Sequence, residues 1–248
     1  MGDGVGLAGL INRLSVGYTG RMARTVNPEV HTVRKEAFVD AATRLMQAKG
    51  WEQTSVQDVL DALEASRGAF YHYFDSKQAL LEAVIERMID AGLGAVEPVV
   101  DDPDLAAAPK LRALFSGIAR WKTAQKALVL ALLQTWLSDD NAIVREKFRH
   151  RSALRLVPML SRIVRQGIDE GTFTVGSPDD AARIFVTLLL GFQDVATDLY
   201  IARQTGAIGY DAVRESVTSF NDAFERILGA PRGSIDLADE AVLQEWFG

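Results

Sequence analysis

Apolar and polar positions alternate along this chain with the period of a helix. Asn27-Pro28-Glu29 supplies an N-cap, a proline at the first helical position and an acid in the first turn. Ala37, Phe38, Ala41, Ala42, Leu45 and Met46 then form one apolar stripe, which Gly50 ends. Thr54-x-x-Gln57 has the form of a capping box for a second helix with Val56, Val59, Leu60 and Leu63 on one face. A short third element is expected over about residues 66–74. Asp75-x-x-Gln78 would open a fourth, carrying Leu80, Leu81, Val84, Ile85 and Met88.

The same punctuation recurs downstream. Asp102-Pro103-Asp104 and Ser177-Pro178-Asp179-Asp180 each place a capping residue, a proline and an acid in order. Residues 126–137 are apolar almost all round, the pattern of a helix enclosed on every side. Residues 141–170 read as one long helix ended by Gly171, with Pro158 predicting a kink or break near Val157. Strand signals are nearly absent and no repeat is visible, so the fold class is all-α.

Two late stretches carry a sustained 3-4 step. Phe185, Leu188, Phe192, Val195 and Leu199 form one, with Gly191 in its middle. Tyr210, Val213, Val217, Phe220, Phe224 and Ile227 form the other. Such seams suit helix packing at about +20°. Two readings stand: packing within the chain, or a four-helix bundle made by two copies. The last residues, 230–248, hold an amphipathic stretch with Leu237, Ala241, Val242 and Trp246, which docks on its own chain or on a partner's.

Composition narrows the function classes. The chain has 248 residues, 48% hydrophobic and 24% charged, ordinary values for a globular protein. It has no Cys, which removes disulfides and thiolate chemistry. The longest apolar run, residues 127–133, is far short of the roughly 20 residues of a membrane span, so no membrane partner is expected. Near the N-terminus, glycines stand where a signal peptide has its leucine-rich core, and the chain reads as cytoplasmic. The net charge of −6 is unevenly spread: residues 1–80 hold 9 basic and 9 acidic side chains, residues 81–248 hold 18 and 24. A neutral front and an acidic back is compatible with DNA binding at the front.

Enzyme signatures are missing. There are three His residues, His31, His72 and His150, and no Gly-x-Ser-x-Gly, His-Glu-x-x-His or phosphate loop. Asp139-Asp140 and Asp179-Asp180 stand at helix starts, where the helix dipole accounts for them. Gly4-x-Gly6-x-x-Gly9 matches a dinucleotide fingerprint only literally, since no strand can precede it. No catalytic residue, metal or cofactor is expected. Residues 1–26, with Arg13, Arg21 and Arg24, form either a minor-groove arm or a tail, and Met22 is an alternative start. Lys147, Arg149, His150, Arg151 and Arg155 make a basic run that reads first as a solvated face.

The informative pair is the second and third helices. A helix of about nine residues, a turn at residues 62–65 and a short helix from Ser66 have helix-turn-helix spacing. The short helix presents Arg67, Gly68, Ala69, Tyr71 and His72, while Phe70, Tyr73 and Phe74 supply core bulk. A glycine at position 68 lets the helix backbone approach DNA. Thr54-Ser55-Val56-Gln57-Asp58-Val59, followed by Ser66-Arg67-Gly68-Ala69-Phe70-Tyr71-His72-Tyr73-Phe74-Asp75-Ser76-Lys77-Gln78-Ala79-Leu80, closely resembles the DNA-binding domain of the tetracycline-repressor (TetR) family. The detailed resemblance covers about residues 34–85.

That resemblance implies a homodimer on a palindromic operator in double-stranded DNA, released by a small-molecule effector. It implies DNA contacts at Ser55, Ser66, Arg67, Gly68, Ala69, Tyr71, His72 and Lys77. Arg67 would read a guanine edge, and Tyr71, His72 and Lys77 would hold the phosphate backbone. The chain departs from the family at Glu64, where a turn glycine is common, at Ala69, where Thr is frequent, and in the acids Asp58, Asp61 and Glu64. The expected domains are an arm (1–26), a three-helix DNA-binding head (27–76), a helical-bundle ligand-binding and dimerisation domain (77–229) and the tail (230–248). Within the bundle, Trp121, Leu128, Leu132, Trp136, Met159 and Phe192 are expected around a cavity for a mostly apolar ligand, with Gln193 or Asp194 as a polar handle. Dimerisation is expected through Phe185, Leu188, Phe192, Val195, Leu199, Val213, Val217, Phe220 and Phe224. The alternative is a helical ligand-binding or interaction protein whose head is weak or inactive.

Overall fold

The computed structural model describes residues 28–236 and 238–248. The expected arm at residues 1–26, the expected cap Asn27 and Leu237 lie outside the described residues. The elements are α1 (Pro28–Lys49), α2 (Val56–Leu63), α3 (Arg67–Tyr71), α4 (Lys77–Gly94), α5 (Glu97–Asp101) and α6 (Ala107–Ala124). They continue as α7 (Lys126–Leu137), a 3-10 turn (Asp139–Asn141), α8 (Ala142–Asp169), α9 (Pro178–Gln204), α10 (Tyr210–Leu228) and α11 (Glu240–Phe247). No strand occurs among the described residues.

Two apolar clusters organise these helices. The first joins Phe38, Ala42, Met46, Trp51, Leu60, Phe70, Phe74, Leu80 and Leu81, and continues into Leu128, Leu132 and Val144 of α7 and α8. The second joins α5, α6, α8, α9 and α10 around Leu111, Leu114, Leu160, Ile163, Phe185 and Phe224. Helix α4 serves both: Leu80, Leu81, Val84 and Ile85 lie in the first, Leu93 in the second. The packing therefore shares α4 between the clusters rather than dividing them at residue 76.

Several helix starts fall one residue later than their sequence pattern suggests. α2 is capped by Ser55, whose hydroxyl accepts from the Asp58 amide at 3.1 Å while the Asp58 carboxylate accepts from the Ser55 amide at 2.6 Å. Thr54 is buried instead, donating to the Gly50 carbonyl at 2.7 Å. α4 is likewise capped by Ser76. Asp102 closes a local turn onto the Asp104 amide at 2.8 Å, and α6 begins only at Ala107, whose amide donates to Glu170 at 2.9 Å. Ser177 caps α9 as its pattern requires, and α8 runs unbroken through Pro158.

The enclosed helix of residues 126–137 is a correction. Among the described side chains of α7 only Leu128, Leu132 and Thr135 are buried, and Leu137 is exposed. Its apolar excess faces a cavity described below. The basic run on α8 is paired rather than simply solvated. Lys147 meets Glu82 at 2.5 Å, Arg151 meets Glu86 at 3.2 Å and Arg155 meets Asp90 at 2.6 Å, three rungs between α8 and α4. Arg149 pairs with Asp194 of α9.

The two late seams meet each other within the chain. Phe185 stacks on Phe115 at 5.8 Å and on Phe224 at 4.1 Å, and Phe192 meets Phe220 at 4.6 Å. Phe185, Val213, Val217 and Phe224 are buried by the chain's own helices, so they are not available to a second copy. Leu188, Phe192, Val195, Leu199 and Phe220 remain half-buried, and Ile184 is 57% exposed. Helix α9 is long and apolar enough, by length and composition alone, to cross a membrane, yet only 22% of its apolar window is buried. The tail docks on its own chain as α11. Trp246 Nε1 donates to Thr123 at 2.9 Å, and Lys126 of α7 donates to the Glu245 carbonyl at 2.6 Å and pairs with its carboxylate at 2.8 Å.

Candidate functional site

Helix α3 is a five-residue helix held from beneath by one ring. Phe70 is fully buried, edge-on to Phe38 at 5.7 Å and tilted against Phe74 at 5.6 Å. With that face anchored, Ser66, Arg67, Gly68, Tyr71 and His72 are exposed on the other side, and Ala69 and Tyr73 are half-buried. The Ser66 hydroxyl accepts from the Ala69 amide at 3.2 Å, which leaves its proton free for an outside acceptor. A Cβ on Gly68 would meet nothing closer than the Ser66 hydroxyl at 3.9 Å. Nothing among the described residues therefore requires glycine there.

Ser55 and Lys77 are engaged differently. The Ser55 hydroxyl also donates to Asp58 at 2.7 Å, so its proton is committed to the cap. Lys49 adds an ion pair to Asp58 at 2.9 Å. The hydrogen bonds from Ser55, its hydroxyl first and its amide second, hold the Asp58 carboxyl well below the usual carboxylate range, and Lys49 adds to this. That contribution is present above the ordinary carboxylate pKa and is lost as the pH falls through the depressed one. Lys77 donates to the Trp51 carbonyl at 2.9 Å and lies 4.7 Å from the centre of the Trp51 ring. Burial there pushes its ammonium pKa down, opposed by Glu52 and Asp58. It ties the start of α4 to the α1–α2 connection.

The turn between α2 and α3 carries the one non-glycine residue with positive φ among those described: Glu64, at φ 49° and ψ 39°. The Ala65 amide reaches the Leu60 carbonyl at 2.9 Å, which closes α2 and forces the residue between into the left-handed region. A side chain in that conformation costs about 1 kcal/mol or more. Glu64→Gly is expected to raise stability by about 1 kcal/mol, read as a higher thermal midpoint. A midpoint unchanged or lowered would show that the turn is not strained.

Behind the head, α4, α6, α7, α8, α9, α10 and α11 surround a cavity of about 360 Å³. That size is at the lower end of small-molecule sites. Trp121, Leu132, Trp136 and Phe192 line it. Leu128 and Met159 do not: Leu128 packs in the head's cluster and Met159 in the second core. Of the two polar handles, Gln193 lines the cavity, while Asp194 is paired with Arg149 outside it. Sequence reasoning missed Lys122, Tyr200 and the α11 pair Trp246 and Phe247, all of which line the cavity. A lysine in an amphipathic helix reads as solvated, and a distant tail helix gives no signal of its docking site.

A helix-turn-helix head with an exposed short helix, set before a helical body with a cavity, defines a DNA-binding transcriptional regulator. Residues 38–84 match the tetR family of bacterial regulatory proteins. The HTH-type transcriptional regulator YfiR of Bacillus subtilis is 26% identical over 63% of this chain and 76% of its own length. The HTH-type transcriptional repressor KstR2 of Rhodococcus jostii is 28% identical over 46% of this chain and 60% of its own. Among solved structures, Salmonella enterica GusR superposes with a TM-score of 0.54 at 18% identity, covering 80% of this chain and 96% of that one. That last likeness is one of fold. The relatives are named as regulators of transcription, not enzymes.

Proposed function

We propose that this protein is a homodimeric, cytoplasmic repressor that binds a palindromic operator through α3 and leaves it when a small, mostly apolar effector fills the cavity. The observation that carries this reading is Gly68. A glycine in an exposed helix costs about 0.5–1 kcal/mol relative to alanine, and no contact among the described residues offsets it. Close approach of the α3 backbone to DNA does. Ser66, Arg67, Ala69, Tyr71 and His72 share that surface, with Arg67 as the base reader, the Ala69 methyl against a thymine methyl, and Ser66, Tyr71 and His72 as phosphate contacts. Ser55 and Lys77 act mainly by fixing the head, and two N–H groups of Lys77 remain for phosphate.

Dimerisation is assigned to the outer face of α9, where Ile184, Leu188, Gly191 and Val195 follow a 3-4 step and are not buried. A second copy would cover this face and set the two α3 helices about 34–36 Å apart, one helical turn of DNA. Release is a population shift: an effector that prefers a wider spacing weakens operator binding by its differential affinity. Helix α4 runs from the head to the cavity wall and carries that difference.

The test is selection from a random DNA pool at about 0.15 M salt, roughly physiological ionic strength, followed by the variants on the enriched site. An inverted repeat is expected. Arg67→Ala should relax preference at one base pair per half-site by about 1–3 kcal/mol. Gly68→Ala should stabilise the fold slightly while weakening every site. No enriched repeat from a folded dimer would sink the proposal in favour of a ligand-binding protein with an inactive head.

A further inference from the structure

The cavity wall is mostly apolar, with Ser152, Gln193, Thr197 and Tyr200 as uncharged polar groups and a single cation. Among its described lining residues the only charged one is Lys122, in the last turn of α6, and no acid lines it. The other lysines of this region are matched: Lys110 donates to the Val100 carbonyl at 3.0 Å, and Lys126 pairs with Glu245 at 2.8 Å. Lys122 has no hydrogen-bond acceptor and no ion-pair partner among the described residues. Desolvation pushes its ammonium below the usual lysine value, and no carboxylate opposes it. Its place in the last turn of α6 favours the cation through the helix dipole. An unmatched cation in an apolar cavity is costly, and the group that removes the cost is an anion supplied from outside.

We infer that the cavity takes a small hydrophobic carboxylate, its head group paired with the Lys122 ammonium and its apolar body among Trp121, Trp136 and Phe192. This rests on the effector reading above and gives that effector its chemical class. A cationic ligand finds no acid there, and a neutral one leaves Lys122 unmatched. Gln193 and Tyr200, from α9, line the same space and supply further donors for a carboxylate.

Decanoate and its uncharged methyl ester are titrated into the full chain without DNA, with binding read by calorimetry and tryptophan fluorescence. Decanoate is expected to bind about tenfold or more tightly than the ester, the usual range for a charge-assisted pair. Lys122→Met should abolish that preference while leaving the ester's affinity within about twofold, and Lys122→Arg should keep it. Its thermal midpoint at or above that of the unaltered chain would show that Lys122→Met folds. Equal or tighter binding of the ester, an undiminished preference in Lys122→Met, or no saturable binding of decanoate would each overturn the assignment. Operator selection in the absence of ligand reads the repressor proposal separately, so either can fail while the other stands.

Discussion

Phe70→Ala is expected to cost about 3–5 kcal/mol and to remove DNA binding with it. Phe70 is fully buried and is the ring that Phe38, Phe74 and Tyr71 all meet, Tyr71 edge-on at 5.3 Å. A five-residue helix has no stability of its own, because nucleating a helix fixes several residues for few hydrogen bonds. The exposed Arg67 and Tyr71 hold their positions only because Phe70 is seated. Urea denaturation followed by circular dichroism should show a clearly lower midpoint, and Phe70→Leu should lose far less. A loss below about 1 kcal/mol in Phe70→Ala, small for a buried aromatic, would mean that α3 is held by its flanking turns instead.

Phe185→Ala is expected to cost a similar amount, about 3–5 kcal/mol, in the other cluster. The ring lies between Phe115 and Phe224 and is fully buried. The effect should not depend on protein concentration, since the ring is enclosed by a single chain. A charge at the exposed Ile184, as in Ile184→Arg, should instead leave the fold of one chain intact and act through association. Denaturation of each variant at two protein concentrations checks the contrast. A concentration-dependent loss in Phe185→Ala would return that residue to the interface that its 3-4 spacing first suggested.

The helices and the head were legible because each rests on short-range chemistry. Caps, stripes and the aromatic run from Tyr71 to Phe74 are set within a few residues, and even the misplaced caps at Ser55 and Ser76 lie one position from their patterns. Glu64 was legible as a departure, and the structure gives it the left-handed backbone that makes glycine common there. The cavity was legible only in part. Trp121, Leu132, Trp136 and Phe192 point to a large apolar volume, but Leu128 and Met159 carry the same signal and sit in cores. Periodicity says which face of a helix is apolar, not whether that face meets a neighbour or a void. The seams of α9 and α10 show the same limit, because their spacing is equally suited to the chain's own partner helix or to a copy. The role of Lys122 required knowing that no acid lines its cavity, a relation among seven helices that no local pattern encodes.

The rungs between α4 and α8 are spaced by four residues on both helices: Glu82, Glu86 and Asp90 against Lys147, Arg151 and Arg155. Four residues rise about 6 Å along a helix. An axial displacement of α4 by that distance would return two of the three pairs with new partners, whereas a smaller slide or a tilt would return none. Each partly exposed pair contributes no more than about 1 kcal/mol, so the ladder adds little to stability. Its effect is to favour discrete positions over intermediate ones, like the teeth of a rack. Added salt, by screening the pairs, would smooth that profile and let α4 settle anywhere between the notches.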